Sequence, residues 1–168
     1  FGVKEMDFET LALEIFRFQA AQNTVYKAYL QALGADPASV KAIEQIPFLP
    51  VRFFKSHMVQ TTSFEAAVIF ESSGTTGSIS SRHMVKDLSL YEESFLRGFE
   101  LFYGSVKEWC VIGLLPSYLE RTNSSLVHMV HKLIQLSEHP QSGFYLAEFD
   151  QLFAVLGELE KRKQKTLL

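Results

Sequence analysis

Ser72-Ser73-Gly74-Thr75-Thr76-Gly77-Ser78-Ile79-Ser80-Ser81 is the stretch of this chain best suited to chemistry, since nine of its ten residues are Ser, Thr or Gly. Such a segment can grip a polyanion. Glycine lets the backbone approach a ligand closely and adopt unusual φ values. Consecutive turn amides make an anion nest, and the hydroxyls add donors that stay neutral. A flexible linker has the same composition. This segment, however, directly follows Ala66-Ala67-Val68-Ile69-Phe70, an apolar run of buried-strand type. It is not a Walker A loop, because no Gly-Lys-Ser/Thr follows Gly74 at the required offset. Arg82 stands just beyond as a nearby cation. His83 follows it, as a contact to phosphate or substrate or as a surface histidine.

Other residues are weaker candidates. Cys110 lies within Trp109-Cys110-Val111-Ile112, where a buried inert thiol is expected rather than an acyl acceptor. His128 and His131 are three apart on one helical stretch and could share a metal, but no third ligand is evident, so no metal site is assigned. No Gly-x-Ser-x-Gly elbow supports a hydrolase serine. The basic run Lys161-Arg162-Lys163-Gln164-Lys165 reads as a solvated helix end favoured by the helix dipole. The abundant Phe is mostly core, with some available for an acyl pocket.

The elements that would position these residues follow from periodicity. Asp7 can cap a helix whose Phe8, Leu11, Ile15 and Phe18 recur at helical spacing. A second helix carries Tyr26, Tyr29, Leu30 and Leu33 and stops at Gly34. Asp36-Pro37 reads as a cap and first-turn proline with Val40 and Ile43 inward. Ile46-Pro47-Phe48-Leu49-Pro50 then forces an extended, rigid entry. After the strand at 66–70 and the Ser/Thr/Gly loop, Asp87 can cap a helix with Leu88, Tyr91, Phe95, Phe99 and Phe102 on one face. Glu92, Glu93, Arg97 and Glu100 lie off that stripe. Residues 109–115 read as a second buried strand stopped by Pro116. A helix follows with Leu126, Met129, Val130, Leu133 and Ile134 inward. Phe144-Tyr145-Leu146 makes a short third strand, and Asp150 caps a last helix with Leu152, Val155, Leu156 and Leu159. The strand–helix–strand–helix order predicts an α/β layer with a mainly parallel sheet and flanking helices. A helical segment at 1–45 packs on the α/β portion at 46–168.

Composition bounds the rest. The chain has 168 residues, 47% hydrophobic and 21% charged, with mean hydropathy +0.06. That suits one domain with a real core and excludes a disordered chain. Sixteen Lys+Arg against nineteen Asp+Glu give a net charge of −3, which offers no reason to propose a nucleic acid or anionic membrane as partner. A single cysteine excludes an internal disulfide framework and suits a cytoplasmic setting. No run approaches the ~20 apolar residues that span a bilayer. The chain begins without Met and ends at Thr166-Leu167-Leu168, a strand-like start, so a fragment is expected. An apolar face would then await the absent part, and self-association is an expectation.

Phe70-Glu71-Ser72-Ser73-Gly74-Thr75-Thr76-Gly77 resembles the phosphate-binding loop of the adenylate-forming, acyl-activating enzymes. Gly113-Leu114-Leu115-Pro116-Ser117-Tyr118 is similar to that superfamily's next motif, a strand ending in Leu-Pro beside the acyl pocket. Further pieces resemble one branch, the acyl-protein synthetases of bacterial fatty-acid reductase systems (the LuxE type). They are Asn23-x-x-Tyr26, Ile46-Pro47-Phe48-Leu49-Pro50, Phe54-Lys55, Arg82-His83, residues 114–121, Ser124-Ser125-Leu126 and Ser142-Gly143-Phe144-Tyr145. The phenylacetate-CoA ligases are similar through the loop and the Ile46-Pro47 entry.

The resemblance implies the N-terminal portion of an ATP-dependent ligase. It would form acyl-AMP from a fatty or other carboxylic acid and pass the acyl group to a protein thiol or to CoA. In that scheme Ser72, Ser73, Gly74, Thr75, Thr76, Gly77 and Arg82 surround the ATP phosphates, with Mg2+ bridging phosphate oxygens. Pro116, Tyr118 and His83 border the acyl substrate, and no residue is assigned to catalysis itself. The superfamily's usual Pro-Lys after the loop is replaced by Ile79 and Ser80, leaving Arg82 as the cation. The family's later motifs, including the branch's acceptor cysteine, have no counterpart here. A phenylacetate-type CoA ligase and a non-catalytic nucleotide-binding module are the alternatives.

Overall fold

A computed structural model describes residues 7–72, 79–115 and 122–168. The chain forms two compact units, Phe1–Lys86 and Asp87–Leu168. The broad α/β class is present: six helices, one antiparallel strand pair and one three-stranded parallel sheet are found among the described residues.

The first unit opens with helix α1 (Phe8–Gln22), whose first turn is capped by Asp7 through a 2.8 Å bond from the Thr10 amide. Helix α2 (Thr24–Ala32) starts one residue later. Asn23 ends one helix and caps the next, accepting from the Tyr26 amide at 3.0 Å. Gly34, with φ +65°, closes α2 as expected from its sequence. The core of this unit joins Leu13, Phe16 and Ala20 to Tyr26, Leu30, Val40 and Ile46. Two sequence expectations change here. The stripe Phe8, Leu11, Ile15 and Phe18 is exposed, and α1 buries the neighbouring stripe instead. Asp36-Pro37 makes only a turn, with the Asp36 carboxylate accepting from the Ala38 amide, and a short 3-10 segment follows at Ile43–Gln45. The prolines at 47 and 50 leave no room for a longer helix there.

After a short helix α3 (Phe53–Ser56) comes strand β1 (Val68–Glu71). It pairs antiparallel with β2 (Arg82–Val85), in register Val68 to Val85 and Glu71 to Arg82. This corrects the expected sheet: the strand after residue 66 belongs to a hairpin, not to the parallel sheet. Only Phe70 of β1 is buried. The returning strand Arg82-His83-Met84-Val85 mixes charged and apolar residues over four positions, too short for alternation to announce it.

The second unit is built around β3 (Cys110–Gly113), every residue of which is buried. It is the middle strand of a parallel sheet, flanked by β4 (Gly143–Phe144) and β5 (Thr166–Leu167). Side chains alternate between faces. Cys110 and Ile112 pack with Leu152, Val155 and Leu159 of helix α6 (Phe149–Lys161). Val111 packs with Phe99 of helix α4 (Leu88–Tyr103) and Leu133 of helix α5 (Ser125–Ser137). Asp87 caps α4 as expected, accepting from the Ser89 amide at 2.9 Å. Asp150 does not cap α6. It lies in the first turn, and Glu148 holds the cap position. Phe102 turns outward, so the buried face of α4 is displaced toward Glu92 and Leu96. Among the described residues no helix is long and apolar enough to cross a membrane.

Candidate functional site

The Ser/Thr/Gly segment is the connection of the β1–β2 hairpin, ten residues between Glu71 and Arg82. Hairpin loops ordinarily need about two to five residues, so most of this one is surplus to closing the turn. Ser73, Gly74, Thr75, Thr76 and Gly77 lie outside the described residues, as do Pro116 and Tyr118. The described part is the base. The Ser72 amide donates to the Ser81 carbonyl at 3.0 Å, and the Ser81 amide donates to Ser72 Oγ at 3.0 Å. Ser81 is 6% exposed, so this clamp is shielded from water. Ser72 Oγ thus fastens the loop as an acceptor, a role that does not use its O–H.

Arg82 and His83 leave the loop on β2 and face opposite sides of the hairpin. Arg82 is exposed, opposite Glu71 in the register, and no ion pair among the described residues engages it. His83 lies opposite the buried Phe70. Its ring stacks on Phe54, with centroids 4.6 Å apart and planes at 21°. The site residues Ser72, Arg82 and His83 are therefore brought together at one end of one hairpin.

Comparison with family models, with curated proteins and with solved structures finds no match to this chain. What the resembling segments do is then a matter of geometry alone. Asn23, besides capping α2, donates through Nδ2 to Thr61 Oγ1 at 3.1 Å. The Tyr26 hydroxyl donates to the Pro47 carbonyl at 3.0 Å, and burial pushes its pKa up to about 12. Asn23-x-x-Tyr26 and the Ile46-Pro47 entry are thus tied to each other. Phe54 and His83 are likewise partners, and Ser124 caps α5 by accepting from the Val127 amide at 3.3 Å.

In the second unit the other chemical candidates settle into structural roles. Cys110 is fully buried, and burial pushes its thiol up, opposed by a hydrogen bond from Ser142. Ser142 Oγ also accepts from the Val111 amide at 2.9 Å. His128 and His131 do not converge. His128 Nε2 lies 2.9 Å from Glu92 Oε1, while His131 Nε2 lies 3.0 Å from Gln135 Nε2 with its ring stacked toward Phe144. Glu92 also holds Lys132 Nζ at 2.9 Å through its second oxygen. Lys132, then His128, hold its carboxyl below the usual range against the opposing effect of burial. Glu92 thus faces α5 rather than lying off the packed stripe as the periodicity suggested. The usable signal was its spacing: Leu88, Glu92, Phe95 and Phe99 share one face, and His128 and Lys132 are one turn apart on the opposing helix. Among the described residues no group of three or more His, Cys, Asp or Glu is placed to hold a metal ion.

Proposed function

We propose that this chain supplies the nucleotide-gripping loop of an AMP-forming acid–thiol ligase of the acyl-protein synthetase type, on an adenylate-forming fold. The observation that carries the reading is the hairpin base. A ten-residue loop of hydroxyls and glycines is clamped at Ser72 and Ser81, and a guanidinium stands at its exit. Residues Ser73, Thr75 and Thr76 would donate to the β- and γ-phosphates, Gly74 and Gly77 would shape the turn, and Arg82 would offset charge. The described donors at the base are hydroxyls, amides and one guanidinium, with Glu71 the one carboxylate beside them. That set suits a Mg2+ carried largely by the nucleotide's own phosphates rather than a protein cage. When bound, the ion neutralises phosphate oxygens.

In the reaction a carboxylate oxygen bonds to the α-phosphorus of ATP as the bond to pyrophosphate breaks. The electron pair leaves on pyrophosphate. Positioned donors at the β- and γ-phosphates stabilise that departing charge, which is how most catalysis of phosphorus transfer works. A thiol then displaces AMP from the acyl carbon. His83, Pro116 and Tyr118 would border the acid.

Pyrophosphate release from Mg-ATP with a panel of carboxylic acids tests the reading. Thr76→Ala is expected to lower turnover by ~10²–10³, the cost of one positioned donor. Absence of pyrophosphate with every acid, together with no Mg-ATP binding by calorimetry, would overturn it. The acceptor is read in the same assay: label on a protein thiol indicates the synthetase, and free CoA thioester the CoA ligase.

A further inference from the structure

The first unit contains a cavity of about 640 Å3 that no described residue of the Ser/Thr/Gly loop lines. Its volume falls within the ~300–1,000 Å3 of small-molecule sites. One wall is α1, through Phe8, Leu11, Ala12 and Ile15. Phe8, Leu11 and Ile15 belong to the stripe whose helical spacing pointed to a core, yet Phe8 is 77% and Ile15 47% exposed. The core is served by the adjacent stripe of Leu13, Phe16 and Ala20. Facing walls come from apolar residues of the 43–49 segment, from Phe54, from Val59, Gln60, Thr61 and Phe64, and from Met84 of β2.

Among the described residues, no side chain lining the cavity carries a formal charge. Its polar groups are largely committed. Asn23 bonds the Tyr26 amide and Thr61 Oγ1, the Tyr26 hydroxyl bonds the Pro47 carbonyl, and Gln60 Nε2 bonds the Phe64 carbonyl at 2.7 Å. Gln19, exposed at the lining, adds one neutral amide. An ionised head drawn into this space would find no counter-charge among the described lining residues to offset its desolvation cost. A hydrocarbon chain with a hydroxyl or ester head would bear a far smaller cost, which a hydrogen bond to Gln19 can offset.

We propose that this cavity is a binding site for one uncharged, hydrocarbon-rich small molecule, bound without nucleotide. The proposal does not rest on the ligase reading, since neither Arg82 nor any described residue of the hairpin loop lines the site. The walls of α1 that are now wet are the surface such a ligand would cover, and apolar area removed from water is the driving term.

Calorimetric titration with octanol, nonanol and decanol, and with decanoate at pH 7, tests it without ATP. Saturable one-to-one binding is expected, tightening about fourfold per added methylene, with decanol at least as tight as decanoate. Ala12→Phe, which fills the cavity from a helical position, and Ile15→Asp, which places a charge in its wall, should each weaken decanol binding at least tenfold. Thermal melts of both variants check that the fold persists. Leu101→Asp, on an exposed apolar position of the other unit, should change nothing. Non-saturable binding, or saturable binding that both α1 variants retain, would overturn the proposal. So would decanoate binding more tightly than decanol, which marks a carboxylate site. If alkanols do not bind and Ile15→Asp instead dissociates an oligomer, the wall is a self-association face and the proposal fails. Mg-ATP titrated into the same variants reports separately on the hairpin loop.

Discussion

Ser72→Ala removes one atom from the base of the candidate nucleotide loop, and its consequence can be worked from the hairpin. Ser72 Oγ accepts the Ser81 amide at 3.0 Å, and Ser81 is nearly inaccessible. Deleting the acceptor leaves a buried donor unpaired, at a cost of about 1–3 kcal/mol. The return bond, Ser72 amide to Ser81 carbonyl, does not involve the side chain and survives. The register from Val68 to Glu71 also survives, so the strands stay paired and the cost falls in the lower part of that range, about 1–2 kcal/mol. At 1.4 kcal/mol per factor of ten, local opening at Ser81 becomes roughly 5–30 times more frequent. Amide hydrogen exchange at Ser81 measures this directly and needs no ligand. If the loop binds nucleotide and Ser72 acts by positioning it, the ATP KM should rise by up to the same factor with a smaller change in kcat. Ser72→Thr keeps the oxygen, in a strand-compatible residue, and should restore both readouts. Unchanged exchange at Ser81 would refute the clamp. A loss of activity with unchanged exchange would show instead that the Ser72 hydroxyl contacts the nucleotide itself.

Three further outcomes are expected. Asn23→Ala should cost about 1.5–3 kcal/mol, from the lost cap and the lost bond to Thr61, seen as a lower urea midpoint at constant m-value; Asn23→Asp keeps the acceptor for the Tyr26 amide and should recover about half. Glu92→Gln should lower the Tm at pH 7 by about 2–8 °C, for a loss of ~1–2 kcal/mol. Because the folded pKa of Glu92 is lowered from 4.5, its contribution is complete above that pH and disappears as pH falls through the folded value. The difference between wild type and variant should shrink in acid, and a constant difference would contradict the pairing. Gly113→Ala places a Cβ 2.8 Å from Phe144 Cδ1 and 3.0 Å from Val130 Cγ1, both on packed side chains. A destabilisation of ~1–3 kcal/mol is expected in denaturant melts.

Much of the fold was legible because the relevant signals are local. The caps Asp7 and Asp87, the Gly34 stop and the buried run at Cys110–Gly113 each depend on a few neighbouring residues, and all are found where the sequence put them. The misreadings have a common origin in partners distant along the chain. On α1 two adjacent apolar stripes satisfy helical spacing, and only the tertiary neighbours Tyr26, Val40 and Ile46 decide which is buried. Glu92 looked like a surface carboxylate until His128 and Lys132, some 36 and 40 positions on, were brought against it. The return strand β2 has two exposed residues out of four, so nothing in its own pattern marks it. Of the candidate site, the sequence marked the loop and Arg82. The Ser72–Ser81 clamp is a pairing of residues nine apart across a loop, and no spacing rule reports it.

The resembling motifs sort themselves by what their polar atoms are already bonded to. Asn23, Tyr26, Ser124 and Ser142 were each quoted for a likeness to enzymes, yet each has its side chain engaged by backbone or by a buried neighbour. A polar atom held by the fold contributes shape to a site, because moving it onto a ligand would leave its first partner unpaired. Arg82 is the described member of the set in a different position: exposed, charged, at the first residue of the strand that leaves the loop, and without an ion pair among the described residues. Guanidinium can bind phosphate through two parallel hydrogen bonds, and the Ser72–Ser81 clamp and the Phe54–His83 stack hold the hairpin that carries it. The hydroxyl-rich loop supplies capacity for an anion, and Arg82 is the charge that would make an anion preferred over water.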